Sequence, residues 1–427
     1  MSSSAPVPNS DAYSRYVLAL FVGLGILNVL DRQVLATLIE PIKAEFDISD
    51  LGMGLLSGAA FTIVHIIAAF PVSRWADHAN RRSIIAAGLF AWSALTAATG
   101  LAQSYVQIFL ARMGVGIGET VGGGPTQSLV SDYFPPERRA VAFSVLGSGG
   151  VLGSMLGFGV GGWLAETVGW RWTFVCFGVP GVALALLIRA TVAEPARGAL
   201  DGFETPPERS SLGECFRYLL GLRSFNHVVI STGLNAVANY TLFTWSLAFL
   251  MRTHGLSISE AGVTLSLAMS VSTALGLWAS GFVGDRLGRR DPRAYVYVPA
   301  VASCIAMPLA AGFLLASDLR TAVLCLVPSA FFGTMWLGNG HAVVQGLARP
   351  NMRATAAAMS VLITSGVGFG IGPVIIGWIS DRLAPTHGDA ALGYALLVGV
   401  LPYLWSAVHN LLAARTLVDD LRTSSAN

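Results

Sequence analysis

Two stretches of the chain, SRWADHANRR at residues 73–82 and GFVGDRLGRR at residues 281–290, share the pattern small-x-x-small-Asp-x-x-x-Arg-Arg. They lie 208 residues apart, counted from residue 73 to residue 281, and each follows an apolar stretch. Any loop beside a membrane attracts arginines, so one copy alone would be moderate evidence. Two copies at equivalent places indicate an internal repeat, and therefore a fold built from two similar halves.

The composition is that of an integral membrane protein. Of the 427 residues, 54% are hydrophobic and 12% are charged, whereas a soluble domain carries about 25% charged residues. The net charge of +2 comes without a dense basic run, which argues against a nucleic-acid partner. The four cysteines form no C-x-x-C pair, and no metal-ligand spacing or catalytic constellation occurs. We therefore expect no cofactor, no metal and no enzymatic activity.

Apolar stretches long enough to cross the membrane recur along the whole chain. A hydrocarbon core of about 30 Å requires about 20 apolar residues of helix. The stretches that meet this requirement lie at residues 16–38, 51–73, 83–103, 106–131, 140–164, 171–190, 226–251, 260–283, 295–315, 321–347, 354–379 and 391–414. The sequence thus predicts an all-α polytopic membrane protein with 12 transmembrane helices in two six-helix bundles; we number them spans one to twelve.

One long polar segment divides the chain. Residues 191–223 contain prolines and charges, and within them LGECFRYLLGLR at 212–223 has the pattern of a short amphipathic helix on the membrane surface. We therefore predict an N-terminal bundle at residues 1–190, a cytoplasmic linker at 191–223 and a C-terminal bundle at 224–427.

The loops differ strongly in charge between the two sides of the membrane. With both termini on one side, that side receives 19 of the 26 basic residues. Because basic loops remain in the cytoplasm, both termini and the linker are expected there. The sequence therefore predicts an integral protein of the plasma membrane with both termini inside the cell.

The stretch NVLDRQVL at residues 28–35 places charges inside span one, and span four contains two more. The four charges inside spans are Asp31, Arg32, Arg112 and Glu119. Such residues are expensive in hydrocarbon and are functional candidates by default. Asp31 and Arg112 each lie about seven residues below the outer end of their span, which makes an ion pair between them natural. Glu119 lies about 10 Å nearer the cytoplasm, with no obvious local partner, and Arg32 is left closest to neutral lining or to an anionic ligand. We expect Arg32 to alternate between substrate and ionised Glu119 during transport.

The spans of the second half contain polar and aromatic groups but no such charges. The candidates for the substrate cavity are Asn235, Asn239, Tyr240, Trp336, Asn339 and His341. Three roles are open for His341: a contact to the ligand, a second group that binds protons, or a structural histidine that is hydrogen-bonded between helices. One charged wall facing a mostly apolar wall suits an amphipathic substrate.

The loop GFVGDRLGRR matches the G-x-L-a-D-R-x-G-R-R loop of the major facilitator superfamily, and SRWADHANRR resembles a degraded copy of it. Arg112 begins a pattern similar to the R-x-x-x-G motif of that superfamily. The glycines of GSMLGFGVGG (153–162) and GFGIGPVIIG (368–377) resemble an exporter motif, although Phe158 replaces its proline; helix packing explains most of them. The resemblance implies a gate on the cytoplasmic side that involves the loop residues Asp77, Arg81, Asp285 and Arg289.

Within that superfamily the chain resembles the Spinster family of lysophospholipid and sphingosine 1-phosphate transporters. The residues that carry this resemblance are the Asp-Arg pair of span one, FDISDLGMGLLSGAAF (46–61), the glutamate of VGIGE (115–119) and DYFPPERRAVAFSV (132–145). The chain departs from the family at His78 and Ala79. The resemblance implies a secondary active transporter, coupled to protons, that moves a lysolipid or sphingoid-like amphiphile.

Three other functions compete with this interpretation. The runner-up is a transporter of a small organic anion or drug that uses the same arginine and glutamate. A receptor or scaffold would not require buried charges in one wall, and an ATP-driven pump would require a G-x-x-x-x-G-K-[ST] motif, which is absent. We expect a monomer whose partners are the small amphipathic substrate, protons and membrane lipids.

Overall fold

The computed structural model describes residues 11–197, 212–349 and 352–425. Every regular element in these ranges is helical. Seven helical stretches are long and apolar enough to cross a membrane. Two of them, Pro136–Thr191 and Thr355–Ser424, have 56 and 70 residues, whereas one crossing needs about 20. Helices cover all twelve stretches predicted from the sequence.

The first six spans follow the predicted order. Span one is Asp11–Thr37, span two runs through Asp50–Gly54, Leu55–Ala59 and Ala60–His78, span three is Arg81–Thr99, span four comprises Tyr105–Gly118, Glu119–Gly122 and Gly124–Ser131, and spans five and six form Pro136–Thr191. A short helix, Ile39–Phe46, connects spans one and two. Gly169 interrupts the last of these elements with a φ of 84°, a conformation open to glycine, and so separates span five from span six.

The second half begins with a short helix before span seven. This helix is Leu212–Gly221; span seven is Arg223–His254, span eight comprises Ile258–Leu265, Ser266–Val271 and Ser272–Gly288, and span nine is Ala294–Leu315. Span ten comprises Leu319–Gly333 and Trp336–Leu347, span eleven Arg353–Ile363, Thr364–Ile371 and Gly372–His387, and span twelve Ala391–Val400 and Pro402–Ser425, with the single turn Gly388–Ala390 before it.

Asn80 shows how a departure from the superfamily loop is accommodated locally. Where the loop pattern has glycine, Asn80 has an extended backbone and precedes the helix Arg81–Thr99. Its side-chain oxygen accepts a hydrogen bond of 2.8 Å from the backbone amide of Ser83. Asparagine is among the preferred residues for this position, because it satisfies an amide that the helix leaves unpaired.

The chain forms two compact units. Unit 1 is Met1–Ile48, Ala59–Pro206 and Ser257–Ser266, and unit 2 is Ser49–Gly58, Pro207–Leu256 and Leu267–Asn427. The long boundary lies within the predicted linker. Two short segments are exceptions: the start of span two belongs to unit 2, and the start of span eight belongs to unit 1.

Glycines explain why these two segments pack so closely. An added Cβ at Gly54 would lie 2.5 Å from the Pro373 carbonyl oxygen in unit 2, and one at Gly162 would lie 2.7 Å from that of Ile258 in unit 1. Real Cβ atoms do not come this close, so the helix backbones can approach only because side chains are absent. The structure agrees with the interpretation of the span-five and span-eleven glycines as packing residues.

The helix Leu212–Gly221 is amphipathic, as the sequence predicts. Cys215 and Leu219 are buried, and Leu219 packs in a cluster with Phe225 of span seven and Val344 of span ten. Phe216 and Leu220 remain exposed. One apolar side of the helix therefore docks on unit 2 and another is left uncovered.

Candidate functional site

The four charges inside spans form two ion pairs between spans one and four of unit 1; we call Asp31, Arg32, Arg112 and Glu119 the charged cluster. In the first pair, Arg112 Nη1 lies 2.5 Å from Asp31 Oδ2. The hydroxyl of Thr96 donates to Asp31 Oδ1. Asp31 and Arg112 are 3% and 5% exposed. The ion pair that the depth estimate predicts is therefore present and deeply buried.

The second pair joins Arg32 to Glu119. Arg32 Nη2 and Nε lie 2.9 and 3.0 Å from Glu119 Oε2, and the Asn28 amide donates to the same oxygen at 2.9 Å. The Glu119 side chain is inaccessible, whereas that of Arg32 is 24% exposed. The other carboxylate oxygen, Oε1, is buried and accepts no hydrogen bond from the residues that the structure describes.

The expectation that Glu119 has no local partner is wrong. The depth estimate compared backbone positions alone and so found no partner for Glu119, whereas the expected role of Arg32 already required contact between the two residues. Asn28 lies one helical turn, about 6 Å, below Arg32 on span one. Both side chains reach the same oxygen, so the long arginine side chain closes the remaining distance.

Span two contributes two aromatic rings to the charged cluster. The Phe61 ring lies between the two arginines, with its centroid 4.6 Å from Arg32 Cζ and 5.0 Å from Arg112 Cζ. His65 stacks on Phe61 at 5.1 Å between centroids, and its Nδ1 donates to the Gly116 carbonyl oxygen at 3.0 Å. The sequence analysis missed both residues. Their spacing of four residues on one helix face was the available signal.

The local sequence explains why span four bends at Glu119. The α-helix ends at Gly118, Glu119–Gly122 forms a 3-10 turn, and Gly123 has a non-helical backbone before Pro125 restarts the helix. Short 3-10 segments inside a helix often mark functional hinges. The glutamate thus sits where the backbone of span four departs from regular geometry.

A cavity of about 440 Å³ opens beside this bend within unit 1. Its lining is mostly apolar and includes Leu24 and Val29 of span one and Phe143 and Leu146 of span five. Asn28, which donates to Glu119, also lines it. The cavity therefore combines an apolar surface with a polar point one hydrogen bond from the carboxylate.

The structure divides the candidates of the second half into two groups. Asn235 and Asn339 are 0% and 1% exposed, and the Asn235 side chain is hydrogen-bonded to Ser303 and Ser406. This burial contradicts their assignment to a cavity wall, because neither offers an accessible atom to a substrate. Trp336 is also nearly buried, at 7%.

The remaining candidates keep accessible surface. Asn239 is half-buried and donates to the Gly333 carbonyl oxygen at 2.7 Å. Tyr240 is half-buried and meets the Phe369 ring edge to face at 5.2 Å. His341 is exposed. These three stay candidates for substrate contact.

The loop residues predicted to form a gate have different surroundings. Arg81 is 1% exposed and makes ion pairs of 2.5 Å with Asp132 and 2.8 Å with Glu194. Asp285 is exposed and accepts a hydrogen bond of 2.9 Å from the Tyr295 hydroxyl. Arg289 is exposed, and the side chain of Asp77 lies outside the described part of the structure.

A set of buried polar residues lies around the start of span two, and the sequence did not indicate it. Asp50 is 2% exposed and lies 2.7 Å from Arg252, at the end of span seven. Ser380 donates to Asp50 at 2.6 Å. The neighbouring carboxylate, Asp381, accepts from the backbone amides of Asp50 and Leu51 at 2.9 and 2.8 Å. All these residues belong to unit 2.

Unit 1 contains the counterpart of this arrangement at the start of span eight. Glu166, at the end of span five, accepts from the Ser257 hydroxyl and the Ser259 amide at 2.9 and 3.0 Å. Glu166 and Asp381 are 215 residues apart, close to the spacing of the loop repeat. In both units a carboxylate at the end of one span therefore caps the N-terminus of another, a favourable position for negative charge. The repeat spacing was the signal that could have found them.

Among the described residues, no group of three or more His, Cys, Asp or Glu side chains could hold a metal ion.

The chain is similar to known membrane transporters in sequence. A family model described as Major Facilitator Superfamily matches residues 21–373. An MFS-type efflux pump of Mycolicibacterium smegmatis is 35% identical over 382 residues, which cover 90% of this chain and 87% of that protein. Protein spinster homolog 1 of Homo sapiens is 26% identical over 395 residues, 88% of this chain and 74% of that protein.

A solved structure extends the likeness to the fold. The crystal structure of a bacterial homolog to the human lysosomal transporter Spinster, in an inward-facing and unoccupied conformation, superposes with a TM-score of 0.86. It is 28% identical, and the match covers 96% of this chain and 99% of that one. The predicted fold class and both predicted resemblances are confirmed. The chain belongs to the major facilitator superfamily of membrane transporters, and it is similar to Spinster transporters over nearly its whole length.

Proposed function

We propose that this protein is a proton-coupled secondary transporter of an amphipathic, lipid-like substrate, and that Glu119 carries the proton. The observation that carries the proposal is the asymmetry of the Glu119 carboxylate. Oε2 is held by Arg32 and Asn28, whereas Oε1 is buried without a hydrogen-bond donor among the described residues. A proton that binds to Oε1 neutralises the carboxylate and so weakens the attraction of Oε2 for Arg32.

Arg32 links that proton to the substrate. While Glu119 is ionised, the Arg32 guanidinium is paired with it. Protonation of Glu119 removes the counter-charge, and the partly exposed guanidinium can then bind a phosphate or carboxylate through its fork of donors. Proton and anionic head group therefore favour each other's binding, and this coupling is reciprocal.

The cavity in unit 1 supports an amphipathic substrate. Its apolar lining by Leu24, Val29, Phe143 and Leu146 suits an acyl chain, and Asn28 connects it to Glu119 and Arg32. A buried methylene contributes about 0.8 kcal/mol, so the affinity for such a ligand rises with chain length. The similarity to Spinster transporters points to a lysophospholipid or a sphingosine 1-phosphate-like molecule.

The alternative is a small organic anion or a drug, and the name of one relative, the hexuronate transporter of Bacillus subtilis, favours a small organic anion. A homologous series of lysophosphatidylglycerols that differ only in chain length separates the two. We expect thermal stabilisation of the purified protein to increase with each added pair of methylenes. Stabilisation by short carboxylates, with no dependence on chain length, supports the alternative instead.

Alternating access would require the capped helix starts to separate from their partners. Opening of the face that contains Asp50, Arg252 and Asp381 exposes three charged groups that are now hydrogen-bonded. On the opposite face, the resemblance implies that Asp77 and Asp285 hold the gate. We expect Asp77→Asn and Asp285→Asn to favour the state that is open to the cytoplasm. Double electron–electron resonance distances across that gate test this; unchanged distances in both variants would refute the role of the loops.

We further propose that the protein acts as a monomer in the bacterial inner membrane. Bundles at residues 1–190 and 224–427 are joined by the cytoplasmic linker 191–223, with both termini in the cytoplasm. A cysteine placed at residue 205 should react with a membrane-impermeant maleimide only after the cells are opened. Labelling in intact cells would reverse this orientation.

The decisive test of the proposed function is pH-dependent binding. With anionic lysolipid as the probe, affinity should increase as pH falls, because protonated Glu119 releases Arg32. Glu119→Gln should bind tightly at every pH, since the amide mimics the neutral acid. A pH dependence that persists in Glu119→Gln would assign the proton to another group.

A further inference from the structure

A second apolar surface lies in unit 2. Spans eight, nine and ten enclose a groove of about 320 Å³. Its lining consists of Val283, Leu287, Tyr297, Val298, Val301, Ala302, Phe332 and Met335. Three of these side chains, Leu287, Tyr297 and Val301, are 44%, 40% and 59% exposed. On a membrane-spanning helix, apolar side chains with this exposure lie against lipid.

An arginine cluster lies at one end of the groove. The segment DRLGRRDPR at residues 285–293, which comprises the last turn of span eight and the loop before span nine, contains four exposed arginines, Arg286, Arg289, Arg290 and Arg293. It contains two acidic residues. Asp285 accepts from the Tyr295 hydroxyl, and Asp291 accepts from a backbone amide in the same turn. None of the four arginines forms an ion pair with a described residue, so the segment presents a net positive charge.

The position of the four arginines relative to the groove indicates what kind of ligand would bind there. Leu287 belongs to the last turn of span eight and Tyr297 to the first turn of span nine. Both lie within one or two turns of the arginines. From Tyr297 to Ala302 the groove wall on span nine extends about 8 Å further along the helix. A ligand that fills the groove therefore places an apolar chain among spans eight to ten and an anionic group at the arginines.

We infer that this groove binds an anionic phospholipid of the surrounding bilayer, with its phosphate at Arg286, Arg289, Arg290 or Arg293 and part of one acyl chain between Val301 and Met335. Clustered arginines next to a membrane span favour anionic lipids over zwitterionic ones. The groove adds what a basic loop alone lacks, a defined place for the chain. This lipid is bound at the outer surface of unit 2, and its site shares no residue with the charged cluster or the cavity beside it.

Native mass spectrometry of the full-length protein tests this inference with phosphatidylglycerol and phosphatidylcholine of identical acyl chains. We expect phosphatidylglycerol to be retained preferentially, and Arg286→Gln/Arg290→Gln to weaken its binding by about fivefold for each arginine removed. The matched control is Arg138→Gln/Arg422→Gln, which removes two exposed arginines that pair with Asp11 and Asp419. Equal loss in both double variants would reduce the effect to net charge and overturn the site.

Three further measurements distinguish binding in the groove from binding to the arginines alone. Val301→Trp fills the groove and should reduce phosphatidylglycerol binding with the arginines intact. A photo-crosslinking residue in place of Tyr297 should capture phosphatidylglycerol, and this second readout does not depend on the stability of Val301→Trp. Glycerol 3-phosphate in excess should not displace the lipid; displacement would make the arginines a site for a free phosphate ester. Failure of the crosslink together with unchanged binding in Val301→Trp would exclude the groove.

Discussion

The two ion pairs of the charged cluster use adjacent residues of span one and residues one heptad apart on span four, yet their surroundings differ. Asp31 and Arg112 are both nearly inaccessible, and Thr96 donates a further hydrogen bond to the Asp31 carboxylate. In the other pair, Arg32 reaches a partly exposed position, and one oxygen of Glu119 accepts no hydrogen bond from the residues that the structure describes. The difference suggests a division of roles. The first pair fixes span four against span one, and the second can open.

The largest effect is expected from breaking the enclosed pair. Asp31→Asn leaves the Arg112 charge buried without a counter-ion, and removal of one partner from a buried pair typically costs about 3–5 kcal/mol. Thermal unfolding in detergent should show a clear fall in the midpoint and impaired turnover. The control is Arg138→Gln, whose pair with Asp11 is more than half exposed, so its effect should stay within about 0.5 kcal/mol. Similar shifts in both variants would mean that the Asp31–Arg112 pair has no special structural role.

An intermediate effect is expected from removing the arginine of the second pair. Arg32→Gln deletes charge-assisted hydrogen bonds to an anionic head group, each worth about 1.5–3 kcal/mol, so affinity should fall at least tenfold. The protein should lose less stability than Asp31→Asn does, because Glu119 can accept a proton once its counter-charge is gone. Isothermal calorimetry with an anionic lysolipid measures the first change and thermal unfolding the second. Undiminished affinity in Arg32→Gln would remove Arg32 from the substrate site.

The smallest effect is expected from replacing Phe61, whose ring contacts both Arg32 and Arg112. Phe61→Leu keeps an apolar side chain but removes the ring face, which contributes about 0.5–2 kcal/mol for each cation held over it. Since Arg112 remains tied to Asp31 whereas Arg32 can move, the substitution should affect substrate affinity more than stability. A thermal midpoint that falls as far as in Asp31→Asn would show that Phe61 supports the enclosed pair instead.

Sequence reasoning reached the architecture and the four residues of the charged cluster. Repeat, composition and span length predicted the twelve-helix fold, since hydrocarbon leaves the chain few alternatives. The Asp31–Arg112 pair followed from equal depth on neighbouring spans. Contact between Arg32 and Glu119 was expected only as part of the transport cycle, because an estimate from backbone depth omits side-chain reach and left Glu119 without a local partner. Asn235 was mistaken for a cavity residue because one sequence does not reveal which face of span seven points inward, and the serines that satisfy it come from spans nine and twelve.

The two helix starts show a second limit of the sequence. In the sequence, Asp50 and Glu166 look like ordinary charged residues near the ends of spans. Only the packing of spans two and eight brings Asp50 to Arg252, and Glu166 to Ser257. Such contacts join residues about 90 to 330 positions apart. Their register depends on helix packing, which is not encoded in any local pattern. The repeat spacing could suggest that both sites are equivalent, but it does not identify their partners.

The central claim is that Glu119 carries the coupled proton, and transport by Glu119→Gln in proteoliposomes tests it most directly. Lysolipid is supplied with a pH gradient as the only driving force, and substrate exchange without a gradient is measured in parallel. Glu137→Gln, which removes an exposed carboxylate in the first turn of Pro136–Thr191, outside the charged cluster, is the matched control. The account predicts that Glu119→Gln exchanges substrate but does not accumulate it, whereas Glu137→Gln does both. Accumulation by Glu119→Gln at the level of the unmodified protein, driven by pH alone, would contradict it.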